Sequence, residues 1–342
     1  MQRALKIKRK WRGATAEAVR ALVPPPPPPP TPPAELLTRV RRFHLHQYGF
    51  GEEEEAEQRS QNVIRWMMES LRAKQDSTNL KRMVDEYVIK HMPLAYILGD
   101  QPFCGMDIQV EPPILIPRPE TEEWVSRLID RMTKTKVDIL APARVLDLCT
   151  GSGCISLALA KAAPTFLVTG LDISEKAVNL AKSNAERLKL PNTLFKQVDI
   201  FDDTALQEAK LAKYDIIVSN PPYITPQDYE KLDRSVKDYE DRRALVGQYR
   251  LHGKATPTES GLSANDGLDF YRRIRKVAER YLAPPDRRTF IPAIPRMVLE
   301  FGKGQAESVQ NMFKGYSSRV YKDFADIERS IEIFSSKTPP RL

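Results

Sequence analysis

The sequence predicts an α/β protein: a mostly parallel sheet interleaved with helices and preceded by a small helical domain. Three observations carry this reading. Between residues 144 and 301, short runs rich in Val, Ile and Leu alternate with amphipathic stretches of helical period, the pattern of successive βαβ units. The run 144–148 passes directly into Cys149-Thr150-Gly151-Ser152-Gly153-Cys154 and then a helix, so a tight glycine turn joins strand to helix. Ahead of these lie three segments, 34–46, 52–72 and 79–91, whose apolar residues recur at three- and four-residue spacings, as in Val63, Met67 and Leu71.

The chain has 342 residues, room for two domains and a catalytic core. Its net charge of +8 is local. Residues 1–50 hold ten Lys and Arg against Glu17 and Glu35, and the other residues balance at 43 positive and 43 negative. A neutral body argues against broad electrostatic binding of nucleic acid. The longest apolar run, starting at Ile155 and broken by Ser156, is too short to span a bilayer, so no membrane segment is expected. Three cysteines (Cys104, Cys149, Cys154) without a CxxC pair suit a reducing compartment and no structural zinc or other metal.

In chain order, residues 1–22 carry one acid and an amphipathic basic pattern resembling a mitochondrial presequence; a basic tail or a nuclear-import patch is the alternative. Pro24 to Pro30, with Pro32 and Pro33, form a polyproline II spacer, closing a leader of residues 1–33. The helical domain follows at 34–98, its last helix stopped by Pro93. His44 and His46 stand two apart and share no helical face. Residues 99–122 connect the domains through a hairpin, with a strand read at 103–110, and then a proline-stiffened strap, EPPILIPRPETE. This strap is either structural or an active-site wall carrying Arg118 and Glu120. Thr121 is the N-cap expected for a helix at 122–132.

The sheet domain occupies 123–335, with a tail at 336–342. Its glycine turn fits neither a P-loop nor a standard dinucleotide fingerprint. The second strand, 166–171, ends in Asp172, placed to accept from ribose hydroxyls or to cap the helix at 175–188. A third strand, 193–198, ends in Asp199, a candidate for an adenine amine. The fourth, 214–218, runs into Ser219-Asn220-Pro221-Pro222-Tyr223-Ile224. A planar nitrogen with two hydrogens can donate one to Asn220 Oδ1 and one to the Pro221 carbonyl, beside the flat face of Tyr223. A rigid turn is the plain alternative. A polar insertion at 246–265, a helix at 269–282, a strand at 296–301, a helix at 305–314 and an antiparallel terminal hairpin complete the chain.

These residues resemble the protein-glutamine N5-methyltransferase family that acts on class 1 peptide-chain release factors, in its mitochondrial, fungal-like form. The matching stretches are PLAYILG from Pro93, FCG from Phe103, LIPRPETE from Leu115, DLCTGSGCISLALA from Asp147, GLDIS from Gly170, NPPYI from Asn220, RRAL from Arg242, DGLDFYR from Asp266 and LEFGKGQ from Leu299. NPPY alone is shared with adenine N6-methyltransferases of nucleic acid, the rival reading; a non-catalytic binding protein with this fold is a second. The resemblance implies a seven-stranded, Rossmann-like class I methyltransferase sheet of order 3-2-1-4-5-7-6. It implies S-adenosylmethionine held by Thr150, Gly151, Ser152, Gly153 and Asp172, with Asp199, Ile200 and Asn220 bordering it. The glutamine of a Gly-Gly-Gln loop would be held by Asn220, Pro221, Pro222 and Tyr223, with Arg118 and Glu120 in the wall. The implied partner is a mitochondrial release factor engaged by the helical domain in the matrix. No nucleic acid or membrane is required, and a monomer is expected. Cys149 stands where many relatives have glycine, harmless to the loop if its φ is negative. Ile200 replaces an aromatic residue, which predicts weaker stacking on adenine.

Overall fold

The computed structural model describes residues 32–48, 53–73, 79–134, 143–249, 266–284 and 294–334. The leader up to residue 31, most of the insertion (250–265) and the tail lie outside the described residues. The chain divides into two compact units, Met1–Val84 and Asp85–Leu342.

In the first unit, α1 (Ala34–Tyr48) and α2 (Glu53–Ala73) pack together. Three acids in the first turn of α2 suit the positive end of its dipole, and Val40, Ile64 and Met67 are fully buried. His44 is buried as well, its Nδ1 2.8 Å from Ser60 Oγ, and burial lowers its pKa. Helix α3 (Leu80–Val88) is opened by Asn79, whose Oδ1 accepts from Lys81 N–H at 2.9 Å. The unit boundary falls inside this helix rather than at 98, because α4 (Leu94–Leu98) packs Ala95 and Tyr96 against Val110 and Ile116 of the second unit.

The expected strand at 103–110 is two strands. β1 (Asp100–Phe103) and β2 (Met106–Gln109) pair antiparallel across a turn where Cys104 and Gly105 both have positive φ, 48° and 66°. Helix α5 (Pro119–Lys134) begins three residues earlier than expected. Pro119 fits a first helical turn, where its missing N–H costs nothing, and Glu122 N–H donates to the Arg118 carbonyl at 3.1 Å. Thr121 is therefore not an N-cap. It lies inside the helix, 2% exposed.

The sheet contains β3 (Arg144–Leu148), β4 (Leu167–Asp172), β5 (Thr193–Gln197), β6 (Ile216–Ser219), β7 (Met297–Glu300), β8 (Ser317–Lys322) and β9 (Glu328–Phe334), in the order β5-β4-β3-β6-β7-β9-β8. Numbered within the sheet this is 3-2-1-4-5-7-6, the class I methyltransferase order. The first five strands are parallel and β9 runs antiparallel between β7 and β8. Successive residues of β3 face opposite sides. Val145 joins Trp124, Leu128 and Leu157 in one core, while Leu146 joins Tyr271, Ile274 and Leu299 in the other. The connecting helices α6 (Cys154–Ala162), α7 (Glu175–Leu188), α12 (Asp269–Tyr281) and α13 (Ala306–Met312) cover these faces. Four helices of four to six residues, too short to carry a period, are each opened by a capping side chain. They are α8 (Asp203–Glu208), α9 (Pro226–Tyr229), α10 (Arg234–Lys237) and α11 (Arg242–Leu245), capped by Asp202, Thr225, Asp233 and Asp241. Among the described residues no helix is long and apolar enough to cross a membrane.

Candidate active site

The turn after β3 is built from beneath. Asp147 is wholly buried, and its Oδ2 accepts from Thr150 Oγ1 at 2.6 Å and Ser156 Oγ at 2.7 Å. Thr150 thus points its hydroxyl into the base of the loop. Ser152 is buried too, its carbonyl accepting from Asn184 at 3.1 Å. Gly153 has φ +82°, and a Cβ there would stand 3.0 Å from the Ala181 methyl, so glycine lets α7 approach the loop. Gly151 turns its N–H toward Asp172 Oδ2 at 2.9 Å, while Asp172 Oδ1 accepts from Ser174 N–H at 2.9 Å. Burial raises the pKa of Asp172, opposed by these two backbone donors and by the charge of Arg243. Cys149 has φ +61°, not the negative value that would leave the loop undisturbed. A side chain stands in a left-handed position here, at a steric cost of about 1–2 kcal/mol.

A cleft opens beside this turn. Gly151, Asp172, Asp199, Ile200, Asn220 and Pro222 line it, each at or just beyond the carboxyl end of a parallel strand, where such sheets take ligands. The strap closes one side through Pro113, Ile114 and Leu115, so it is a wall, but not through Arg118 and Glu120. Arg118 instead donates to both oxygens of buried Glu240, at 2.7 and 2.6 Å. Thr150, Ser152, Gly153, Pro221 and Tyr223 do not line the cleft either. Tyr223 is anchored alongside it. Its hydroxyl donates to Glu300 at 3.4 Å, its carbonyl accepts from Gln305 at 3.0 Å, and a Cβ on Gly302 would crowd its ring at 3.0 Å. Asn220 donates through Nδ2 to Thr121 Oγ1 at 3.1 Å.

Sequence reasoning passed over Thr121 as part of a site, along with Glu300 and the Asp241 and Arg243 pair that also borders the cleft. A carboxylate ending the apolar strand run at Met297 was the available signal for Glu300. The aromatic surface expected to be lost at Ile200 comes from the next residue. Phe201 lines the cleft, stacked on Tyr249 at 3.9 Å between ring centres and edge-on to Phe270 at 5.1 Å.

These groups fit the adenosyl part of S-adenosylmethionine. The Asp172 carboxylate is fixed by two backbone donors and keeps lone pairs for vicinal hydroxyls, while Ile200, Phe201 and Phe270 offer apolar surface for a purine. Among the described residues no cluster of three His, Cys, Asp or Glu is arranged to hold a metal.

Known proteins sharpen this picture. A methyltransferase-domain family model matches residues 141–242. The release factor glutamine methyltransferase of Thermodesulfovibrio yellowstonii is 37% identical over 253 residues, covering 73% of this chain and 79% of that protein. That of Geobacter sulfurreducens is 41% identical over 224 residues, 66% of each. A probable mitochondrial MRF1 N(5)-glutamine methyltransferase of Schizosaccharomyces pombe is 33% identical over 253 residues, covering 71% of this chain and 75% of that one. Similarity of this depth, over 79% of the first relative's length, places the chain in the release factor glutamine methyltransferase family, whose members are S-adenosylmethionine-dependent protein-(glutamine-N5) methyltransferases.

Proposed function

We propose that the chain methylates the side-chain nitrogen of the glutamine in the Gly-Gly-Gln loop of a mitochondrial class 1 release factor, acting as a monomer in the matrix. The observation that carries the reaction is the position of Asn220, at the carboxyl end of β6 and on the same cleft as Asp172. The basic, one-acid leader and the S. pombe relative support the mitochondrial part.

S-adenosylmethionine, when bound, supplies an electrophilic methyl group on a sulfonium. Asp172, Asp199 and Ile200 are the residues that would hold its nucleoside. An amide nitrogen is a weak nucleophile because its lone pair is delocalised. Asn220 Oδ1 and the Pro221 carbonyl each accept one hydrogen of the target amide, fixing its plane so that the lone pair faces the cleft. As conjugation breaks and positive charge grows on nitrogen, its hydrogens become stronger donors, so both acceptors hold the transition state more tightly than the ground state. Pro221 and Pro222 keep the loop from relaxing. The loop holds no strong base, and the surplus proton leaves to solvent.

The test is mass spectrometry of purified mitochondrial and cytosolic release factors, with nucleic acid as a control, after incubation with protein and donor. One methyl on the Gly-Gly-Gln glutamine of the mitochondrial factor is the expected result, reduced at least ~100-fold in Asn220→Ala. Methyl incorporation into nucleic acid alone, or into the cytosolic factor alone, would overturn the proposal.

A further inference from the structure

We infer that Thr121 is a positioning residue: together with Glu300 it locks the Asn220 side chain so that Oδ1, not Nδ2, is presented to the substrate. This rests on the reading of Asn220 as the acceptor of the target amide.

A primary amide is nearly symmetric in shape and opposite in chemistry at its two ends. Turned over, Asn220 would set its own NH2 against the NH2 it must receive. Nothing in the Asn-Pro-Pro-Tyr loop decides between the two orientations, so the decision comes from outside it. The sheet register pairs Ser219 with Leu299, which makes Asn220 and Glu300 the next residues at the carboxyl ends of neighbouring strands. Glu300 is 1% exposed and three donors converge on it. Thr121 Oγ1 reaches Oε2 at 2.7 Å, Trp124 Nε1 reaches Oε2 at 2.8 Å, and Tyr223 OH reaches Oε1 at 3.4 Å.

A hydroxyl has one hydrogen to give. That of Thr121 is committed to Glu300, so the face it turns to Asn220 carries only lone pairs. An amide 3.1 Å away satisfies such a face with its NH2. The flipped amide would oppose lone pair to lone pair and leave a buried acceptor unmet. Among the described residues Asn220 Oδ1 receives no hydrogen bond, which leaves it to the cleft. The same carboxylate holds the Tyr223 hydroxyl, so one buried group on β7 sets both polar side chains of the loop. The early start of α5 at Pro119 is what brings Thr121 to this point, 99 residues from Asn220 in the chain.

The experiment compares Thr121→Val, which keeps shape and loses the hydroxyl, with Thr121→Ser, which restores it. The expected result for Val is a kcat lower by about 10- to 100-fold, with donor affinity and KM for the release factor nearly unchanged. Ser returns to near wild type, and Val has no further effect in an Asn220→Ala background. The Asn220 side-chain amide resonance, assigned by its loss in Asn220→Ala, should shift in Val and return in Ser. Thr121→Ala replaces Val if Val fails to bind donor. A kcat for Val within about twofold of wild type, a Ser variant no better than Val, or losses that add to those of Asn220→Ala would overturn the inference. If the wild-type protein methylates no release factor, the functional proposal fails by itself. The amide resonance then decides: a shift reversed by Ser upholds the lock, and an unmoved resonance removes it.

Discussion

The carboxylate of Asp147 receives two hydroxyl donors on Oδ2 and has no hydrogen-bond partner on Oδ1. Burial, the largest influence, pushes its pKa up from 3.8 to about 6 despite those donors. The folded state therefore binds this proton more tightly than the unfolded chain does. The resulting stability is complete below pH 3.8 and is lost as pH rises through about 6. Asp147→Asn cannot titrate, so the stability difference between wild type and variant should shift by about 2 kcal/mol against the wild type between pH 4.5 and 7.5. Urea unfolding at the two pH values measures it, and a constant difference would refute the assignment. Residues of this kind separate what is legible in a sequence from what is not. Asp172, Asp199 and Asn220 announce themselves by ending or following strands, because a parallel sheet gathers its strand ends. Thr121 and Glu300 meet through a contact between distant segments, and Thr150 and Ser152 lie in a loop that reaches the cleft only at Cys149 and Gly151.

Among the elements, the strap from 110 to 118 has no ladder of its own and is held by attachments to other segments. Tyr96 OH donates to the Ile114 carbonyl at 2.7 Å, Asp241 N–H to the Pro113 carbonyl at 2.8 Å, and Arg118 grips Glu240. Its prolines predict stiffness from sequence alone. Its fastenings are not predictable that way, since the partners, Tyr96 on one side and Glu240 with Asp241 on the other, lie far from it in the chain. Glu240 is fully buried at its side chain, and burial raises its pKa while Arg118 opposes the rise. Arg118→Ala would leave that carboxylate uncompensated, at a cost of roughly 3 kcal/mol. The loss should be larger at pH 8 than at pH 5, where Glu240 can take up a proton, and Glu240→Gln in the same background should recover part of it. Chemical denaturation of the single and double variants tests this, and an Arg118→Ala protein as stable as wild type would mean the pair contributes nothing.

For the whole molecule, the division at Val84 and Asp85 sets where the chain can be cut. A chain starting at Asn79 keeps α3 with its cap and all of α4, and should bind the methyl donor with unchanged affinity while losing methylation of an intact release factor. A chain starting at Gly99 removes Ala95 and Tyr96 from their cluster and should melt well below it. Calorimetry and thermal unfolding of the two truncations distinguish a cut ahead of α3 from a cut into the second unit; equal melting temperatures would show that α4 belongs with the helices before it. Periodicity locates the helical region but does not reveal that its last helix packs with the sheet unit. The sheet order has a further effect, on synthesis. β3, β4 and β5 follow one another in the chain and can associate early, whereas β6 meets β7 with Ile217 opposite Met297, closing a loop of roughly 80 residues. Doubling the polar run 250–265 within that loop would cost only about 0.2 kcal/mol of closure entropy, so evolution can lengthen it cheaply. The waiting time is different. Asn220 leaves the ribosome some 80 residues before Glu300, so a nascent chain carries the Asn220 side chain without this neighbour until Glu300 has been made.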